Sequence, residues 1–409
     1  MNGEALPKPS TVSTHTPDQG LKRLSFPALI ATAVAGLLTL ATCGQDDGQH
    51  YRMIGAEALG LPLDHVHSWV DRSPDGRTLL VSATKRSPLL VLDATDLSVQ
   101  RRIDIGDWNV GARVYHSARG NYALLEEIEY LAYSSNGKDN ARRFAVLNVA
   151  TGQLVVNEVQ AYSAALSADE RTLYSIDAEG VLATDLATGK QNKVKGLERK
   201  GSAMALSPDG TRIAIAYDPT EDELSLIPSV RNDKKAIKAA LKVGQIVLVH
   251  DLVSGKFILP VNELFDKVFR LAYNSDGKEL WIHAKPRAHK NANPDVTLSY
   301  LDIADALTGE MGRSSYPSHA LYEPTFCGDA ANRLVSIGSQ KGRYLEVHIY
   351  EHGAMSMVGR FVIDERLFKN KQNGAEKWSD ARVGFALLPD GKRMLMTFGS
   401  RLIEWTYAP

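Results

Sequence analysis

Ser207-Pro208-Asp209-Gly210 constrains this chain more than any other stretch. Apolar Met204, Ala205 and Leu206 precede it, and the alternating run Arg212-Ile213-Ala214-Ile215-Ala216-Tyr217 follows it. Between two such runs Pro-Asp-Gly is a turn with a mechanism: proline presets φ, aspartate bonds back to its own backbone, and glycine takes φ > 0. The stretch predicts the tip of a β-hairpin. It also recurs. Ser73-Pro74-Asp75-Gly76, Asn274-Ser275-Asp276-Gly277 and Leu388-Pro389-Asp390-Gly391 are close copies. Ser117-Ala118-Arg119-Gly120, Ser167-Ala168-Asp169-Glu170 and Cys327-Gly328-Asp329-Ala330 are degraded ones. Self-similarity at roughly 40–50 residues predicts a propeller or a solenoid.

A second turn type alternates with the first. It reads Asp185-Leu186-Ala187-Thr188-Gly189-Lys190, Asp251-Leu252-Val253-Ser254-Gly255-Lys256 and Asn148-Val149-Ala150-Thr151-Gly152-Gln153, with variants at 93–97 and 302–309. Apolar runs such as Leu89-Leu90-Val91-Leu92 and Ile246-Val247-Leu248-Val249 precede it. Two hairpin signatures per unit make four antiparallel strands, which is one propeller blade.

Pro74-Asp75-Gly76-Arg77-Thr78-Leu79-Leu80-Val81, then Leu90-Val91-Leu92-Asp93, then 99–106 resemble the YVTN-type β-propeller repeat, which is related to WD-repeats. The resemblance covers essentially all of 51–409 and implies a fold rather than a function. The expected fold is all-β, a seven-bladed propeller with blades near 69–106, 112–159, 161–196, 202–261, 267–315, 318–363 and 380–409. The last blade lacks a fourth strand at the C-terminus. The unpartnered run 51–56 is expected to supply it and close the ring, which removes two exposed edges.

The chain divides into 1–43, 44–50 and 51–409. Lys22-Arg23 precede an apolar run from Phe26 to Thr42, the build of a secretory signal. Its end, Leu40-Ala41-Thr42-Cys43-Gly44, resembles the bacterial lipobox, with Thr42 where that family prefers a smaller residue. The resemblance implies lipidation of Cys43 and a periplasm-facing location in a bacterial envelope. An uncleaved membrane anchor is one alternative, because the run is near the minimum spanning length, and soluble secretion is another. Residues 44–50 read as a tether.

Blade lengths are unequal. The excess falls at 129–142, 218–244, 285–295 and 364–379, all in loops that strand alternation brings to one face. Repeat insertions commonly map to a binding face. The segment 232–242 predicts a short helix with Ile237 and Leu241 on an apolar side. Lys234, Lys238 and Lys242 line another side, and with Lys235 they form a candidate docking surface for an acidic partner or lipid head groups.

Innermost strands line a propeller's axis with alternate side chains. Counting four residues back from each tip reaches Trp69, Arg113, Ser163, Ala203, Arg270, Glu323 and Gly384; counting six back reaches His67 and Arg382 among others. Arg113, Arg270 and Arg382 near the channel mouth, with Trp69 and His67 beside them and Glu323 opposing, are candidate binders of an anionic group. The alternative is an ion-pair network that holds the structure together.

Lys and Arg total 47 against 48 Asp and Glu, a balance without the basic footprint of a nucleic-acid binder. Only Cys43 and Cys327 are present, so there is no disulfide framework. His65-Val66-His67 lacks a third metal ligand. There is no nucleophile elbow, phosphate loop or dinucleotide fingerprint. No metal or cofactor is expected, and the propeller is expected to be a monomer. A structural assembly factor with no ligand is one open function, and two others use a site. One is a scaffold that binds an envelope protein or an anionic small ligand through the loop-rich face. The other is an enzyme, a lactonase-like hydrolase or a dehydrogenase subunit, acting on an anionic small molecule at the channel mouth.

Overall fold

The computed structural model describes residues 50–61, 67–83, 87–108, 112–127, 141–286, 298–319, 333–340, 344–352, 356–363, 384–398 and 401–407. They form an all-β, propeller-like arrangement of seven antiparallel sheets, six of four strands and one of three. Sheets are numbered here in chain order. Sheet two, for example, runs Ala112–His116, Tyr122–Glu127, Arg142–Asn148 and Leu154–Ala161. Sheet six has three strands among the described residues; the expected tip at 327–330 lies outside them. So do Cys43 and the leader. Among the described residues no helix is long and apolar enough to cross a membrane.

The hairpin tips are built as their chemistry dictates. Ser73 Oγ donates to Asp75 Oδ1 at 2.6 Å, and that carboxylate also accepts the Arg77 N–H at 3.0 Å. The Thr78 N–H returns to Ser73 Oγ at 3.0 Å, and Gly76 sits at φ +73°. Ser207 and Asp209 repeat the device. These serine hydroxyls hold the carboxyls of Asp75 and Asp209 below their ordinary range. The second turn type is capped in the same way, by Asp185, Asp251 and Asp305 accepting N–H groups of the turn.

Glu170 stands where the five other described tips carry glycine. It adopts φ +61°, a left-handed conformation that disfavours a side chain. Its carboxylate offsets that strain by capping the neighbouring tip. It accepts Ser117 Oγ at 2.5 Å, the Arg119 N–H at 2.7 Å and Asn121 Nδ2 at 2.6 Å. Tips of successive sheets therefore meet on one face, as they do where Gly120 approaches Pro74, Gly76 approaches Pro389 and Gly277 approaches Pro208.

The apolar core lies between neighbouring sheets. Leu125 and Ala145 of sheet two pack on Leu80 and Leu89 of sheet one. Phe144 and Val159 pack on Leu173 of sheet three, Ile176 on Ile213 and Ile215 of sheet four, and Val247 on Ile282 of sheet five. Trp281 and Leu301 of sheet five meet Tyr350 of sheet six, and Phe361 of sheet six meets Trp405 of sheet seven at 5.2 Å between ring centroids. Ala386 and Leu395 of sheet seven pack on Val70 and Leu79 of sheet one. Sheet seven itself comprises Phe385–Leu387, Arg393–Phe398, Arg401–Thr406 and the N-terminal His50–Ile54, which pairs antiparallel with 401–406 in the register His50 to Thr406 and Ile54 to Leu402. Arg52 reaches Glu404 at 2.7 Å across that pairing.

Strand polarity separates two ends. Each first strand runs toward its tip. His50 pairs with Thr406 at the tip end of sheet seven, whereas Tyr217 ends and Ile246 begins its strand at the opposite end of sheet four. The segment 218–244 therefore projects from the end opposite to the tips.

Replacing Glu170 checks the tip argument. Glu170→Ala is expected to cost about 1–3 kcal/mol, because it leaves three polar groups without their acceptor and keeps the strained φ. Glu170→Gly should cost less, since glycine accepts φ > 0 freely. Chemical denaturation of both variants reads this, and equal midpoints for the two would contradict it.

Candidate functional site

First strands of neighbouring sheets pack together, those of sheets seven and one, one and two, three and four, and four and five. Ala112–His116 and Tyr122–Glu127 set Arg113 directly opposite Glu126. Glu126 is only 4% exposed. Its Oε1 accepts Arg113 Nη1 at 3.2 Å and also Arg142 Nη1, from the start of the third strand of sheet two. Its Oε2 accepts Arg270 Nη2 at 2.8 Å from the first strand of sheet five, 144 residues away. Burial alone would push this carboxyl up; the fields of Arg142, Arg270 and Arg113 outweigh it and hold Glu126 well below the usual carboxylate range.

Aromatic rings complete the cluster. The Arg113 guanidinium lies 5.4 Å from the Trp69 ring centroid, and Trp69 meets Tyr115 edge-on at 5.8 Å. Arg270 lies 5.3 Å from the Tyr115 centroid and donates to its hydroxyl. Delocalised guanidinium groups suit this role, stacking on rings while they bond a carboxylate. Of the residues singled out by sequence, Trp69, Arg113 and Arg270 are thus brought together. His67 opens the strand His67–Arg72, but its side chain, like Glu323 and Arg382 entirely, lies outside the described residues.

The pivot, Glu126, was missed by counting along first strands alone, because it sits on a second strand. Arg142 was missed because it reads as the end of an insertion; it opens the strand Arg142–Asn148. A carboxylate pair closing the otherwise apolar run Tyr122-Ala123-Leu124-Leu125 was the available signal.

Toward the tips, the cluster opens into an axial cavity of about 370 Å³. One wall is small, with Ser163, Ala164 and Ala165 of sheet three and Ala205 of sheet four. The other is aromatic, with Tyr115, Phe269 and Tyr273. Burial pushes the Tyr273 phenol up to about 12, so it stays protonated. Asp71 also lines this space. Its Oδ2 accepts the His116 backbone N–H at 2.7 Å and lies 2.9 Å from His116 Nδ1. That imidazole side chain is only 3% exposed, which makes it a strut between sheets one and two. Among the described residues no group of three or more His, Cys, Asp or Glu could hold a metal.

At the opposite end, the segment 218–244 folds into two short helices. Thr220 and Glu223 form a reciprocal capping box on Glu221–Leu226. Asp233 caps Lys234–Val243 by accepting the Lys235 and Ala236 N–H groups. Leu224, Ile227, Val230, Ala236 and Ala240 are buried against Tyr217, Ile246 and Leu248. Arg199 clamps Glu223 at 2.5 Å and stacks on Tyr217. The expected apolar side is corrected here. Ala236 and Ala240 face the sheet with Ile237 half-buried, while Leu241 is 45% exposed. Small alanines let the helix lie close to the sheet, and this rotates Leu241 outward. Lys234, Lys235, Lys238 and Lys242 are all exposed, as the lysine pattern requires.

The sequence matches no protein-family model and no curated protein, so the site is read from its own geometry.

Glu126→Gln is expected to destabilise the fold by about 3–5 kcal/mol, because it leaves buried guanidinium groups without their carboxylate. The pH dependence has a definite sign. The folded carboxyl titrates below its ordinary value of 4.5, so the unfolded chain takes the proton first. The contribution is complete above that pH and drains away in more acidic solution. Denaturation midpoints measured across the acid range should fall less steeply for Glu126→Gln than for the parent. Parallel curves would show that Glu126 does not hold the cluster.

Proposed function

We propose that this chain is a closed seven-bladed propeller that works as a binding scaffold in a bacterial envelope, tethered through lipidated Cys43 and presenting its insertion-bearing end to a protein partner. The observation that carries this reading is the opposite placement of two features. The chain enters sheet seven at His50, at the tip end, while the helical insert with its exposed lysines projects from the other end. The link from Cys43 to His50 spans at most about 25 Å at full extension. Anchoring there would keep the tip face near the bilayer and direct the insert away from it. That geometry disfavours lipid head groups as the target of Lys234, Lys235, Lys238 and Lys242, and favours a partner with a negatively charged contact surface.

The scaffold reading also suits the ring. Seven sheets packed face to face make a rigid platform, and a capped, clamped insert on a rigid platform pays little ordering entropy on binding.

Site-specific photo-cross-linking in intact cells tests this. A cross-linker at position 238 should capture a discrete envelope protein. One at position 278, an exposed tip lysine, should not. Cys43→Ser should abolish fatty-acid labelling and weaken capture at 238. Capture from position 278 with none from 238 would reverse the proposed orientation, and labelling that survives Cys43→Ser would remove the tether.

A further inference from the structure

The axial cavity is not explained by a scaffold that works at its outer face. A channel serving only to close a ring would be lined alike by every sheet. Among the described residues this one is lined from sheets three and four by Ser163, Ala164, Ala165 and Ala205 alongside Leu166, Met204 and Leu206, and from sheets two and five by Tyr115, Phe269 and Tyr273. About 370 Å³ lies within the range of small-molecule sites, which are also walled by aromatic side chains with few polar groups.

The polar groups sit at two levels. At the level of the cluster, Arg142 and Arg270 line the cavity, both partly exposed, and three guanidinium groups converge there on the Glu126 carboxylate. Arg142 spends Nη1 on Glu126 and Nη2 on the Tyr162 carbonyl, which leaves further N–H donors on its fork. Asp71 lies two residues nearer the tip than Trp69, which occupies the same level as Arg113 and Arg270. Two residues of strand correspond to about 7 Å along the axis. The Asp71 side chain is 26% exposed. Both His116 contacts use its Oδ2, and Oδ1 accepts nothing among the described residues. A carboxylate thus faces the cavity at one level and guanidinium groups at the other, and aromatic rings that suit a cation line the same space.

We propose that this cavity binds a small zwitterion, a primary amine and a carboxylate joined by a short flexible chain. The carboxylate meets the guanidinium end through Arg142, and the ammonium meets Asp71 Oδ1. A simple anion would engage only the Arg142 end of the cavity, and a simple cation only Asp71. An α-amino acid carries its charges too close together to reach both levels. An ω-amino acid with several methylenes between the charges fits the spacing. The inference does not depend on what the outer face binds.

The test uses the full-length protein and titration calorimetry with 5-aminopentanoate, pentanoate, pentylamine and glycine. The zwitterion should bind at least about tenfold more tightly than each of the others, since one lost charge-assisted contact is worth about that factor. In Asp71→Asn, 5-aminopentanoate should fall to the affinity of pentanoate, while pentanoate itself is unchanged. The ligand series on the unmodified protein stands by itself if that variant does not fold. Equal binding of 5-aminopentanoate and either half-ligand, tighter binding of glycine, or no heat from 5-aminopentanoate at concentrations up to roughly 10 mM (a bound weaker than about 3 kcal/mol) would each overturn the proposal.

Discussion

The pairing of His50–Ile54 with Arg401–Thr406 joins the two ends of the described chain in one sheet. Every sheet in this arrangement has an inner and an outer edge, and an incomplete last sheet would leave backbone donors and acceptors unpaired. Arg52 and Glu404, 352 residues apart, meet at 2.7 Å across this seam. Sheet one packs on sheet seven through Val70, Leu79, Ala386 and Leu395. Contacts so distant in sequence are entropically expensive to assemble.

Packing the sheets around an axis converts a local repeat into a long-range site. Glu126 and Arg270 belong to different sheets and face each other only because sheets two to five pack in order. A single carboxylate holding guanidinium groups from both sides ties the wall of the channel at one level. The space beyond it stays open because sheets three and four contribute alanine and serine there. Rigidity at the cluster and volume beside it arise from the same strands, with different side chains at successive levels.

Much of this was legible in local chemistry. The Ser-Pro-Asp-Gly turns announce themselves, because each makes its own hydrogen bonds within five residues. Degraded tips kept the spacing, and Glu170 shows why one survives without glycine: its carboxylate bonds to the next tip. Counting back from the tips placed Trp69, Arg113 and Arg270 together, since strand alternation is a fixed geometric rule. Glu126 and Arg142 lay beyond that rule. Their role depends on which second and third strands reach the axis; the carboxylate pair that closes the run 122–125 marks the place without naming its partners. The helix 234–243 misled through residue size. Hydrophobicity favoured Ile237 and Leu241 as the inner face, yet close approach to Tyr217 and Ile246 selected Ala236 and Ala240.

Native-state hydrogen exchange read by mass spectrometry tests closure most directly. In a closed ring the amides of Arg401–Thr406 are interior ladder bonds. They should then exchange only through global unfolding, with the same opening free energy as those of Arg212–Tyr217 in sheet four. Exchange in 401–406 that is orders of magnitude faster than in 212–217 would show the last sheet opening independently, and would contradict a ring held shut by its N-terminal strand.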